Sequence, residues 1–299
     1  MQPLDQSSKP VDLSRLQAKF KPTVICLDLD EFMFVQRILE DGSPNFKPLQ
    51  RRLSDSAVRE LGTTINKDLY YYSQEDSHWV VLQSLARNFF EKRFSEWSLI
   101  NDVFGDRSPI KIVIITSANY FEEKIKGAFD HFYANGENRF SSNKFPVEFH
   151  NIVDLLNDEI YIDGVTEINK GELINRLYPL WYRQMFHNGP PKPKFKLNNR
   201  DVWMFDNELF TYNEVKELGY SAYHSPSTLN NRGNVTFAKE GMQTFEVLDR
   251  LTDEALGIDS CARKVFFEQL ERQKALDQQA HLMQIQAQSK PCCIPCVCF

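Results

Sequence analysis

Two aspartates, Asp28 and Asp30, stand two residues apart at the end of the run Thr23-Val-Ile-Cys-Leu-Asp-Leu29. The run is continuous, apolar and rich in β-branched side chains, and it is short, which predicts a strand buried on both faces. Carboxylates spaced by two at a strand end share one face and repel each other unless a cation or a charged partner balances them. A D-x-D has little weight alone, and a solvated strand end or a helix N-cap accounts for one equally well. Other polar groups stand at comparable places. Thr116-Ser117 ends the run begun by Ile110-Lys-Ile-Val-Ile-Ile, Asp206-Asn-Glu208 follows Val202-Trp-Met-Phe205, and Lys170 precedes a helix opening at Gly171. In a doubly wound sheet ligands bind at the carboxyl ends of the strands, so these are the side chains to inspect.

The elements that must position them alternate between strand and helix. Between the first two strands, residues 33–108 read as polar linkers and one long helix near 78–97, whose Val80, Val81, Leu85, Phe89 and Phe90 recur at helical spacing. This predicts a helical cap inserted between two core strands. After the second strand come a helix near 121–133, short strands at 147–149 and 160–162, and a helix from 171 to about 186. A Gly-Pro-Pro-Lys-Pro-Lys loop at 189–194 leads to the run at Val202, then a helix near 212–218 and an edge strand at 220–223. The alternation predicts an α/β fold, a doubly wound parallel sheet with helices on both faces. Residues 225–236, rich in Ser, Asn, Pro and Gly, read as a boundary. Residues 239–288 read as helix, with a Gln-rich solvated stalk from Gln269. The expected division is an amino-terminal segment (1–21), a core (22–32 and 109–224), the cap (33–108), a helical extension (225–289) and a cysteine-rich tail (290–299).

With 299 residues, of which 42% are hydrophobic and 13% aromatic, the chain can bury a large core. A formal charge of −6 with no run of like charges leaves no electrostatic footprint for nucleic acid, which is excluded as an expected partner. No stretch approaches the ~18 consecutive apolar residues of a spanning helix, and residues 1–20 lack the apolar core of a secretory signal, so neither insertion nor export by that route is expected. Cys26 and Cys261 lie in the body, while Cys292, Cys293, Cys296 and Cys298 crowd the last eight residues. This is no disulfide framework and fits a reducing compartment.

Taken in order, the D-x-D, the Thr or Ser after the second strand, the lysine and the acidic residue after a later strand resemble the haloacid-dehalogenase (HAD) superfamily, over roughly residues 22–224. Leu27-Asp-Leu-Asp-Glu31 is similar to the opening of its carboxy-terminal-domain phosphatases. The resemblance implies a Rossmannoid core and a phosphatase working through an aspartyl-phosphate, with Asp28 as nucleophile and Asp30 as acid and base. It further implies Mg2+ held by the Asp28 side chain, the Asp30 carbonyl and Asp206, with Lys170 and Thr116 contacting the phosphoryl oxygens and Ser117 the alternative to Thr116. Phe32 stands where the family usually has Thr or Val, and Asn207 where a second Asp is common. Glu208 reads either as a ligand of the metal shell or as the first-turn acid of the next helix. The substrate is expected to be a phosphoprotein, a phosphoinositide or a small phosphate ester, chosen by the cap. The competing reading is an inactive scaffold that keeps the fold.

The final Cys296-Val-Cys-Phe299 matches the C-a-a-X pattern, with a terminal Phe pointing to geranylgeranyl, although its second a-position is Cys rather than aliphatic. One chain binds a membrane only reversibly, so Cys292 and Cys293 are expected to add palmitoyl anchors. An unmodified tail and a thiol metal site are the alternatives. Prenylation places the protein on the cytoplasmic face of a membrane, either in a eukaryote or as a bacterial effector modified in its host.

Overall fold

The first apolar run forms β1 (Thr23–Asp28), buried along its whole length. The computed structural model describes residues 17–29, 32–35, 70–73, 78–82, 84–117, 147–152, 169–187, 196–225, 227–229, 235–237 and 239–288. After β1 the elements follow as β2 (Phe34–Val35), β3 (Tyr70–Ser73), β4 (His78–Leu82), α1 (Ser84–Phe104), β5 (Ile110–Thr116), β6 (Val147–Asn151) and α2 (Lys170–His187). Then come β7 (Val202–Asp206), α3 (Leu209–Glu217), β8 (Ser221–His224), β9 (Ser227–Leu229), β10 (Val235–Phe237), α4 (Lys239–Leu256) and α5 (Arg263–Gln288).

Five strands form one parallel sheet in the order β6-β5-β1-β7-β8. Counting only these strands, the order is 3-2-1-4-5, a doubly wound sheet whose direction of winding reverses between β1 and β7. Side chains alternate, so each strand feeds two cores. Ile25 and Leu27 of β1, Ile112 and Ile114 of β5, and Phe205 of β7 pack with α1, α4 and α5. Val24, Cys26, Val113, Ile115, Val202 and Met204 pack with α2 and α3 on the opposite face. Covering both faces is what lets the inner strands β1, β5 and β7 carry nearly continuous apolar runs.

Three expectations change. The helix near 78–97 begins at Ser84, because His78–Leu82 is a strand paired antiparallel to both β2 and β3. Val80 and Val81 fit a helical period by coincidence; their β-branched, aromatic-flanked run is strand chemistry. The stretch read as a helical cap therefore carries a three-stranded sheet, and α1 belongs to the core, with Phe90, Phe94, Trp97, Ile100 and Phe104 buried against β1 and β5. The supposed boundary at 225–236 holds the β9–β10 antiparallel pair.

The extension is likewise core rather than appendage. The span read as one helix breaks at Gly257, whose φ of +62° disfavours any other residue, and a Cβ there would lie 2.9 Å from the Lys19 carbonyl oxygen. Leu248, Leu251, Ala255 and Leu256 of α4 and Phe266, Phe267 and Leu270 of α5 are buried in the α1 layer. The stalk accordingly begins after Leu270 rather than at Gln269, with Leu276, Leu282, Met283 and Ile285 exposed. Ion pairs stitch this layer together. Arg93 pairs with Asp249 and, at 2.6 Å, with Glu96; Arg263 pairs with Asp253 and, at 2.5 Å, with Glu96. The helix expected at 121–133, the strand at 160–162, Asp30 and the tail with Cys292, Cys293 and Cys296 lie outside the described residues. Among the described residues no helix is long and apolar enough to cross a membrane.

Candidate active site

Asp28 is the last residue of β1 and Asp206 the last of β7, so both sit at the carboxyl edge where the winding reverses. Both share the parity of side chains that face α2: Asp28 follows Val24 and Cys26, and Asp206 follows Val202 and Met204. The face that buries α2 thus ends in two carboxylates on neighbouring strands.

Lys170 is the first residue of α2. Asn169 starts the helix, its Oδ1 accepting the Glu172 N–H at 2.8 Å while its carbonyl accepts the Leu173 N–H at 3.0 Å. A lysine at the first helical position faces the positive end of the helix dipole, which opposes it. What holds it is on the sheet: Lys170 Nζ donates to Asp28 Oδ1 and to Asp206 Oδ2, each at 2.7 Å. The three groups are buried, with residue exposures of 3% for Asp28, 5% for Lys170 and 0% for Asp206. Burial pulls the Lys170 pKa down, but the Asp28 and Asp206 charges outweigh it and hold the ammonium well above the usual lysine value. Lys170 stays charged throughout the working pH range.

Two of the solved structures that resemble the chain come from one protein. They are the HAD domain of the effector protein Lem4 from Legionella pneumophila and an inactive mutant of that domain, each at 14% sequence identity with a TM-score of 0.32. The matches cover 79% of this chain and 98% and 97% of theirs. Likeness at that level carries no weight for the site, whose reading rests on its own side chains. The chain matches no protein-family profile and no curated protein.

Close packing fixes the start of α2. A Cβ on Gly171 would lie 2.7 Å from Glu214 Oε1 and 3.0 Å from Leu218 Cδ1, so glycine is what lets α2 approach α3 closely enough for Lys170 to reach the sheet. Glu214 is part of this contact. Burial pushes its carboxyl up, against the pull of the Gly171 and Glu172 amides. Asp206 is fixed from its own loop as well, Oδ1 accepting the Glu208 N–H at 2.7 Å.

The remaining candidates separate. Thr116 ends β5 one position beyond Ile115, the partner of Asp28, and is buried, whereas Ser117 is exposed. Glu208 is the residue before α3, with an exposed side chain that makes no cap, so it contributes its amide to Asp206 rather than a carboxylate to the cluster. Phe32 is wholly buried, its ring 5.8 Å from Phe90 and 6.5 Å from Phe205. It is a core residue. His224 escaped the sequence reading. It ends β8 directly beside Asp206, with Nε2 3.1 Å from the Asn207 carbonyl oxygen, to which it donates in the Nε2–H tautomer. Carrying the inspection of strand ends to the fifth strand finds it.

The donor set suits a hard divalent cation. Both carboxylates converge on one point, since one ammonium bonds to each, and the trio sums to a charge of −1. Among the described residues no third His, Cys, Asp or Glu joins them.

Proposed function

We propose that the chain is a HAD-type phosphohydrolase in which Asp28 carries the phosphoryl group between two displacements. One observation carries this reading: a buried ammonium clamped between the last residues of β1 and β7, at the reversal point of a doubly wound sheet. An Asp28 carboxylate oxygen attacks phosphorus and the ester oxygen departs, taking a proton from Asp30. Asp30 then takes a proton from water, which attacks the aspartyl-phosphate and releases inorganic phosphate with Asp28 restored. Lys170 holds the nucleophile in one orientation and offsets charge on the phosphoryl oxygens, and the Thr116 hydroxyl donates to one of them. Asp28, Asp206 and the Asp30 carbonyl would hold Mg2+, which when bound neutralises the approach of one anion to another.

The substrate class is a phosphate ester on a protein, an inositol lipid or a small molecule. Where Cys296-Val-Cys-Phe299 is the mature carboxy terminus, we propose prenylation at Cys296 with acylation at Cys292 and Cys293, which would bring the site to a cytoplasmic membrane surface, in a host cell if the protein is a bacterial effector. Turnover of an aryl phosphate, a phosphopeptide set and phosphoinositide vesicles, each with magnesium and with EDTA, tests the chemistry. Magnesium-dependent phosphate release from any of them supports it; none from all three overturns it. Loss of membrane localisation in Cys296→Ser supports the anchor, and unchanged localisation rules it out.

A further inference from the structure

The helix α4 follows both aspartates in the chain, and two neighbouring residues of it are linked to the strands that carry them, one through Ser225 and one through α1. The Asp206 carbonyl accepts the Ser225 N–H at 2.8 Å, and the Ser225 hydroxyl in turn accepts from Thr244 Oγ1 at 2.7 Å. Ser225 and Thr244 are wholly buried. A helical threonine ordinarily turns its hydroxyl back to its own helix, as Thr252 does in donating to the Leu248 carbonyl at 2.9 Å. Thr244 directs its proton across to the loop after β8.

The next residue, Phe245, packs its ring 4.3 Å from Phe89 and 6.0 Å from Phe90. Phe90 meets Phe32, four residues beyond Asp28. The far end of α4 is tied to the approach to β1: the Lys21 N–H donates to the Ala255 carbonyl at 2.9 Å, two residues before the strand begins. Between these points α4 is pinned to α1 by the Trp97 indole N–H, which donates to Thr252 at 3.1 Å, and by Arg93 on Asp249.

We infer that α4 is a positioning element of the active site, and that Thr244 sets the place of the Asp206 carboxylate through Ser225. This rests on the proposed role of Asp206 in holding the cation. Its chemistry is that of an outer hydrogen bond fixing the backbone from which a ligand projects, and loss of such partners typically weakens metal binding by about tenfold or more. A purely structural bond would alter stability and leave the cation response alone.

The test uses the full chain as Thr244→Val, which keeps the shape and removes the hydroxyl, Thr244→Ser, which restores a hydroxyl, Ser225→Ala, and the Thr244→Val/Ser225→Ala double variant. Magnesium is titrated against melting temperature, and aryl phosphate turnover is measured beside it. Thr244→Val is expected to melt within a few degrees of wild type in EDTA yet to need about five to ten times more magnesium for half its thermal stabilisation. Thr244→Ser should return to within about twofold, and the double variant should be no worse than Thr244→Val, because both changes break one link. A wild-type magnesium response in Thr244→Val, or a Thr244→Ser as defective as Thr244→Val, overturns the inference. A wild type that responds to magnesium but releases no phosphate defeats the phosphatase reading and leaves the positioning role standing on the titration; a wild type with no magnesium response defeats both.

Discussion

One cluster of charge lies at the carboxyl edge of the sheet and another between α1, α4 and α5. Asp28, Lys170 and Asp206 form the first; Arg93, Glu96, Asp249, Asp253 and Arg263 form the second. Each sums to −1 in formal charge. Their surroundings differ. In the helical cluster Asp249 is 35% exposed, so water reaches the excess charge, and burial pushes the Asp253 carboxyl up against the pull of Arg263. In the sheet cluster the three side chains are 5%, 5% and 1% exposed. The first cluster is shut away from water at the carboxyl edge of the sheet, while the second lies at a helix junction that water reaches. Charge count does not distinguish the two clusters; access to water and position in the sheet do.

Substitutions can break or sharpen this contrast. The largest effect is expected from Asp28→Asn, which should lower aryl phosphate turnover by at least roughly a thousandfold while the melting temperature stays within a few degrees of wild type. Retained turnover in a clean preparation would remove Asp28 from the chemistry. Lys170→Met should abolish turnover and also destabilise by about 3–5 kcal/mol, since two buried carboxylates then face each other without their ammonium. Arg263→Met should destabilise by about 2 kcal/mol and leave turnover per folded molecule nearly unchanged. An activity loss well beyond the folded fraction would mean that the helical cluster belongs to the site after all.

The smallest effect concerns a third group, Glu148 on β6, held by Lys111 and His150 at 2.6 Å each and by the Trp181 indole at 3.1 Å. Burial alone would raise its carboxyl pKa, but the His150 and Lys111 interactions outweigh that and bring it from 4.5 down to about 2. Its contribution to stability is therefore complete above pH 4.5 and disappears as the pH falls through about 2. Glu148→Gln should melt below wild type at neutral pH, and the gap should close on acidification. A gap independent of pH would show that the carboxylate charge is not what stabilises the edge strand.

The strands of the parallel sheet were legible where burial on both faces makes the run continuous: β5 spans Ile110–Thr116 as expected, and β1 and β7 differ from expectation by one residue at their ends. The same continuity pointed to Asp28, Thr116 and Asp206 as strand-end residues. Lys170 was legible through the helix that follows it. His78–Leu82 was not, since five apolar-rich residues next to a helix fit both periods and only pairing with β2 and β3 decides between them. Nor were Ser225 and Thr244 legible: no local pattern marks two hydroxyls that meet only because α4 folds back over the sheet. The packing of the extension was hidden for the same reason, its apolar face having no visible partner until α1 is placed.

The central strand is made early and completed late. Thr23 of β1 pairs with Ile110, 87 residues downstream, and Val24 pairs with Val202, 178 residues downstream. Both neighbours of the most buried strand are thus distant in sequence, and closing such loops precedes any gain from the pairing. A ribosome would release β1 with its Val, Ile and Leu side chains long before either neighbour exists, so the nascent chain is expected to fold slowly and to depend on chaperones. The strand that ends in Asp28 is the one whose pairing the growing chain must await longest.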